Sequence, residues 1–182
     1  MPKIIIFSAP SGCGKDSIVH ELNKNSDFVY SISATTRQKR QNEINGQDYI
    51  FISLNDFKEK IKNKEFLEYQ EVYENCFYGT LKSEIDRLLK GDKDILMILD
   101  VNGALNIKKL YKEECLTIFI KPPSIQVLKD RLLNRNTDTI DSIEKRLAKA
   151  ISEMEFSKFF DYQVINDNFD DCINKIKNIL KI

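Results

Sequence analysis

The stretch Lys3–Ser17, reading KIIIFSAPSGCGKDS, constrains this chain more than any other. Ile4, Ile5, Ile6 and Phe7 form an unbroken β-branched and aromatic run, the pattern of a strand covered on both faces. Small residues follow (Ser8, Ala9, Pro10, Ser11, Gly12, Cys13 and Gly14), then Lys15 and a segment of helical character from Asp16 to about Lys24. Such a turn aims its backbone N–H groups and the helix N-terminus at one spot, where Lys15 adds a full positive charge. That is a site for phosphate. Against the strict spacing G-x-x-x-x-G-K-[ST], Ala9 stands in place of the first glycine and Asp16 in place of the metal-binding hydroxyl, with Ser17 directly after. The bland alternative, an ordinary strand-to-helix turn with a solvated lysine, leaves the combination of buried strand, paired glycines and helix unexplained.

Any anion site here must be local, because 28 basic and 28 acidic residues cancel. No whole-molecule field favours nucleic acid or a membrane. The 182 residues suffice for one large core, with insertions expected in it rather than separate domains in tandem. Cys13, Cys76, Cys115 and Cys172 are scattered without metal-ligand spacing, and His20 is the only histidine. Four reduced thiols are expected, not a zinc site. The apolar run after Met1 is too short for a signal peptide and no segment has transmembrane length, so a soluble cytoplasmic protein is expected.

Along the chain, Phe28–Ser33 alternates as a strand, and residues 34–43 are polar and basic with no period. Asn45-Gly46 marks a turn and Asp48–Ser53 a short strand. Helical spacing covers Leu54–Lys64, short strands are expected over Phe66–Tyr73 and around Phe77-Tyr78, and a helix over Lys82–Leu89. Asp94–Val101 and Leu116–Ile120 are further buried-strand runs, the first containing Asp100 at its end. Three buried strands separated by helices predict a parallel sheet covered on both faces. From Ser124 the chain turns helical: Arg131 and Arg135 share one face, Leu128 and Leu132 another. Asn134–Thr139 is polar and turn-like. Asp141 and Glu144 have capping-box spacing, opening a helix with Arg146, Lys149 and Glu153 on one stripe and Leu147, Ile151 and Met154 on another. Tyr162–Ile165 reads as a strand, followed by Asn166-Asp167-Asn168 and an amphipathic helix from Phe169.

Several of these motifs together resemble the guanylate kinases over essentially the full length. Beyond the phosphate loop they comprise Ser33 followed by TTR-x-x-R-x-x-E (Thr35, Thr36, Arg37, Arg40, Glu43) and NG-x-DY-x-F (Asn45, Gly46, Asp48, Tyr49, Phe51). They continue with EFLEY (Glu65–Tyr69), YGT (Tyr78, Gly79, Thr80), LDVNG (Leu99–Gly103), the PPS turn, R-x-x-x-R, and Asn166-Asp167. The resemblance implies an α/β fold: a three-layer P-loop kinase core with a parallel sheet (residues 1–31, 80–123 and 161–182), an inserted β-rich GMP-binding domain (32–79) and a helical lid (124–160). It implies transfer of the γ-phosphate of Mg²⁺-ATP to GMP, and to dGMP, in purine nucleotide metabolism, by a monomer or homodimer.

The resemblance also assigns residues. Ala9, Pro10, Ser11, Gly12, Cys13, Gly14, Lys15, Asp16, Ser17 and Asn166 would bind ATP, with Lys15, Arg131, Arg135 and Arg146 around its phosphates and the lid arginines arriving on closure. Arg37 and Arg40, with the hydroxyls of Tyr49 and Tyr78, would hold the GMP phosphate, Arg37 counting among the catalytic cations and Glu43 orienting the arginines. Guanidinium forks suit that task better than ammonium groups. Glu68 would accept the ring N–H and exocyclic amine of guanine and repel the lone pair adenine presents instead. Ser33 and Thr80 would donate to the guanine oxo group, with Gly79 and Asp100 completing the GMP site. Ser17 and Asp100 are the expected metal contacts, through water, since Asp16 and Ile98 depart from the usual pattern. A protein-binding module lacking catalysis would be expected to lose Lys15 or the lid arginines, and a kinase for a base-free sugar phosphate would give Glu68, Ser33 and Thr80 nothing to read.

Overall fold

A computed structural model describes residues 2–25, 27–134 and 140–182. The chain begins with β1 (Ile4–Ser8), α1 (Lys15–Leu22) and β2 (Phe28–Tyr30), then passes through β3 (Ala34–Thr35), β4 (Ile50–Phe51) and α2 (Leu54–Lys62). A hairpin of β5 (Phe66–Tyr73) and β6 (Cys76–Leu81) leads through α3 (Lys82–Leu88) to β7 (Asp94–Ile98) and α4 (Val101–Tyr111). β8 (Cys115–Lys121), α5 (Ile125–Leu133), α6 (Ile140–Glu155), β9 (Tyr162–Ile165) and α7 (Phe169–Leu180) complete it. Two sheets result: five parallel strands in the order β2-β7-β1-β8-β9, and four in the order β4-β3-β6-β5.

The first sheet is the middle of three layers because β1 is apolar on both faces. Ile5 and Phe7 face α1, α5 and α7, packing with Ile18, Val19, Leu22, Leu128, Leu132, Cys172 and Ile176. Ile4 and Ile6 face α3 and α4, packing with Ile85, Leu88, Val101, Ala104 and Ile107. Parallel register then brings the carboxyl ends of the strands to one edge, Phe7 opposite Ile98 and Ser8 opposite Phe119. Loops at that edge form the site. The second sheet has its own small core, in which Phe57 is fully buried, stacks on Phe66 at 4.2 Å between ring centroids and leans on Phe77.

Several expectations are corrected. The strand expected over Phe28–Ser33 stops at Tyr30, although the Ser31 N–H still donates to the Leu96 carbonyl. Only Ile50–Phe51 of Asp48–Ser53 is strand, since Asn45, Gly46 and Asp48 use their hydrogen bonds on the preceding turn. β3 sits in the aperiodic polar stretch, too short to show a period. The run Asp94–Val101 splits: the strand ends at Ile98, and Asp100 caps α4 by accepting the Gly103 N–H at 2.7 Å. α6 begins at Ile140, so Asp141 lies inside its first turn rather than at the cap. Its core-facing stripe is Ile143, Leu147, Ala150 and Met154, while Ile151 is exposed.

Truncating Phe57→Ala should remove about 3–5 kcal/mol of stability, as expected for a fully buried aromatic with a cavity left behind. Urea denaturation followed by tyrosine fluorescence measures this; a loss below about 1 kcal/mol would show that the second sheet does not depend on this ring.

Candidate functional site

A cleft of about 1400 Å³ opens at the carboxyl edge of the parallel sheet and runs to the second sheet. Ala9, Ser11, Lys15, Asp16 and Ser17 line one end, Ser33, Arg37, Arg40, Glu43, Tyr49, Glu68, Tyr78 and Gly79 the other, with Asp100 and Arg146 also in its wall.

At the first end, the turn after β1 is shaped by Gly12 and Gly14, at φ +95° and +81°. A Cβ on Gly14 would come within 2.7 Å of the Asn166 amide nitrogen, so side-chain space and backbone conformation both require glycine there. Ala9 is not among the positive-φ residues, which explains why alanine serves at that position. Gly14 caps α1, so Lys15 and Asp16 occupy its first turn. The Asp16 carboxylate is well exposed, 3.5 Å from the Lys15 ammonium. Asn166 is buried behind the loop, where its amide donates to the Cys13 carbonyl at 2.8 Å. Its own carbonyl accepts from Arg131 at 2.9 Å. Arg146 of α6 donates to the Ser11 hydroxyl at 3.2 Å. Arg131 and Arg146 therefore both reach the region of the loop through hydrogen bonds. Arg135 lies outside the described residues, as does the turn at 135–139.

At the second end, Glu43 accepts both terminal nitrogens of Arg37, at 2.6 and 3.0 Å, in a fork-to-fork pair. The Arg37 Nε donates to the Tyr78 hydroxyl at 3.0 Å, and the guanidinium sits over the Tyr49 ring at 5.4 Å. Paired this way, Glu43 titrates below the usual carboxylate range and Arg37 is held more firmly protonated. Burial pushes the Tyr49 hydroxyl up to about 12, so it stays a neutral donor at ordinary pH. Glu43 orients Arg37 alone by its side chain; of Arg40 it receives only the backbone N–H, at 2.8 Å.

Glu68 and Thr80 are cross-strand partners on β5 and β6. Thr80 is buried, and its hydroxyl donates to Glu68 at 2.7 Å, which fixes the carboxylate. Desolvation, with the Asp100 charge adding to it, raises the Glu68 carboxyl to about 7. Both carboxylates converge on Gly103: a Cβ there would lie 2.9 Å from Glu68 and 3.3 Å from Asp100. Cleft residues that sequence reading did not assign to the site include Gln70, which shares a face of β5 with Glu68, and Lys149 and Glu153 on the polar stripe of α6. Two-residue strand spacing would have flagged Gln70.

No group of three or more His, Cys, Asp and Glu side chains converges on one point among the described residues. Ser17 and Asp100 both line the cleft. That donor set fits a hard cation carried mainly by phosphate oxygens and water, not a protein-built cage.

The whole chain, residues 1–182, matches the guanylate kinase family model. The chain belongs to the guanylate kinase family. It is 43% identical to the guanylate kinase of Porphyromonas gingivalis over 182 residues, covering 99% of this chain and 97% of that one. A guanylate kinase of Bacteroides fragilis is 47% identical over 169 residues, covering 92% and 83%. The crystal structure of guanylate kinase from Anaplasma phagocytophilum matches with a TM-score of 0.81 at 28% identity, covering 99% of this chain and 85% of that one. Guanylate kinases phosphorylate GMP to GDP with ATP.

In this chain, a Glu68 carboxyl raised to about 7 binds its proton more tightly folded than unfolded. Stability contributed by that proton is lost as pH rises from the ordinary range, near 4.5, through about 7. Glu68→Gln should therefore leave the nucleotide-free protein more stable than the parent at pH 8, by about 1–3 kcal/mol, with little difference at pH 4. Denaturant titrations at the two pH values measure it; parallel pH profiles would contradict the raised carboxyl.

Proposed function

We propose that the chain transfers the γ-phosphoryl group of Mg²⁺-ATP to the phosphate of GMP, giving ADP and GDP, and that it accepts dGMP. The observation that carries this reading is the single cleft that places Lys15 and the phosphate loop at one end and the Arg37–Glu43–Tyr78 and Glu68–Thr80 constellations at the other. The loop and Lys15 bind the β- and γ-phosphates of ATP, with Arg146, Arg131 and Arg135 supplying lid cations. Arg37, Arg40, Tyr49 and Tyr78 bind the acceptor phosphate. Glu68, with Ser33 and Asp100, reads guanine.

The attacking oxygen belongs to a phosphate whose second pKa is near 6, so it is largely dianionic at pH 7 and needs no general base. The barrier lies in bringing two polyanions together, which fixed cations and positioning lower. Glu43 holds the Arg37 fork ready, so little rotamer freedom is lost when phosphate binds. Ser17 and Asp100 would hold Mg²⁺ through water beside the ATP oxygens. The ion supplies charge neutralisation between the phosphates. The core comprises residues 1–31, 80–123 and 161–182, the GMP domain 32–79 and the lid 124–160. No helix among the described residues is long and apolar enough to cross a membrane, which accords with work on cytoplasmic nucleotides.

Lys15→Met should lower GMP-dependent ADP formation about 100-fold or more while the GMP dissociation constant changes less than about 3-fold. Glu68→Gln should raise KM for GMP by about 10-fold or more with a smaller effect on KM for ATP. Coupled-enzyme kinetics and calorimetry distinguish these. Equal losses of ATP and GMP use in Glu68→Gln, or an unchanged kcat/KM for GMP, would overturn the base-reading role.

A further inference from the structure

Gln70 has no role in the reading above, yet it stands inside the site. It follows Glu68 by two residues on β5, so the two side chains lie on the same face of the strand. Both line the cleft, and both also line a smaller cavity of about 450 Å³ between β5 and the first turns of α4. With its amide nitrogen turned toward Asp100, the orientation in which donor meets acceptor, Gln70 donates to the Asp100 carboxylate at Oδ1. Asp100 Oδ1 also accepts the Gly103 N–H. The Asp100 carboxylate is thus held from two directions, by the helix it caps and by a neutral amide on the strand that carries Glu68.

We propose that Gln70 is a positioning residue for the acceptor site: its amide pins Asp100 beside Glu68 so that guanine meets two fixed carboxylates. The inference rests on the GMP reading of the site. Two carboxylates converging on Gly103 repel each other, and an unrestrained Asp100 relieves that repulsion by swinging away from the position in which it borders the base. A primary amide donor opposes the swing without adding charge. Glutamate has the same shape but supplies no donor and places a third carboxylate in the cluster. Shape and donation therefore make opposite demands on a substitution.

Calorimetry of GMP alone, without ATP or divalent metal, reads the acceptor site directly, and thermal melting checks the fold of each variant. Gln70→Ala should weaken GMP binding about 3- to 10-fold, and Gln70→Glu about 10-fold or more, so the isosteric change is the worse one. Asp100→Asn alone should also weaken binding while keeping α4 capped, since Asn caps as well as Asp. Combining Gln70→Glu with Asp100→Asn exchanges amide and carboxylate, and should bind GMP more tightly than Gln70→Glu by about 5-fold or more. In turnover assays the Gln70→Ala effect should fall on KM for GMP, with KM for ATP unchanged. Binding by Gln70→Glu equal to the parent, with Gln70→Ala the weaker, would mean that Gln70 only fills space. Additive losses in the exchanged pair would likewise overturn the proposal, and if Gln70→Glu melts early, the additivity of Gln70→Ala with Asp100→Asn decides it in the same way. Failure of the parent to bind GMP would instead overturn the substrate reading.

Discussion

The site depends on how β1 is held between β7 and β8. Their parallel register fixes where β1 ends, and hence where the phosphate loop begins, relative to Asp100 beyond β7 and the Lys121-Pro122 turn beyond β8. Asn166, at the end of β9, extends this control. Its N–H donates to the Lys121 carbonyl, its side chain to the Cys13 carbonyl, and its carbonyl accepts from Arg131. One buried amide thus joins the sheet edge, the loop and α5. Buried polar groups are costly unless satisfied, and here that cost is offset by fixing three elements to one another.

Two glutamates in the second sheet are tuned in opposite directions by their surroundings. Glu43 lies against a guanidinium and stays charged, which suits a residue that holds a cation ready for phosphate. Glu68 is desolvated, faced by Asp100, and steadied by Thr80. The cleft therefore carries a desolvated carboxylate, an acceptor suited to a ligand with two adjacent N–H donors. On the proposed reading, stability given up at this carboxylate is available as selectivity for guanine.

Much of this was legible in the sequence because it rests on local patterns. The phosphate loop, the three buried strands, α5 and α7 follow from apolar runs, glycines and caps. The two-residue strands β3 and β4 are too short to show a period, and α4 was hidden because Asp100 ends one apolar run while capping the next element. Ile151 fits a hydrophobic stripe but faces solvent, since only packing decides which residues of a wide stripe are covered. Residue types and the resemblance pointed to the cations of the site and to Glu43 as their orienting partner, but not to the geometry in which they are held. The Arg37–Glu43 fork and the Arg146–Ser11 contact join residues whose geometry only the fold supplies. The hydrogen bond from the Asn166 amide to the Cys13 carbonyl was likewise invisible to spacing.

The most direct test of the account is the rate of ADP formation from Mg²⁺-ATP with GMP, dGMP, IMP, AMP, CMP, UMP and ribose 1,5-bisphosphate offered separately. Turnover should be confined to GMP and dGMP, with IMP, which lacks the exocyclic amine that Glu68 would accept, weaker by about 10-fold or more. Comparable rates with AMP, or turnover only with the base-free sugar, would contradict the claim that this cleft joins two phosphates under the selection of a guanine-reading carboxylate.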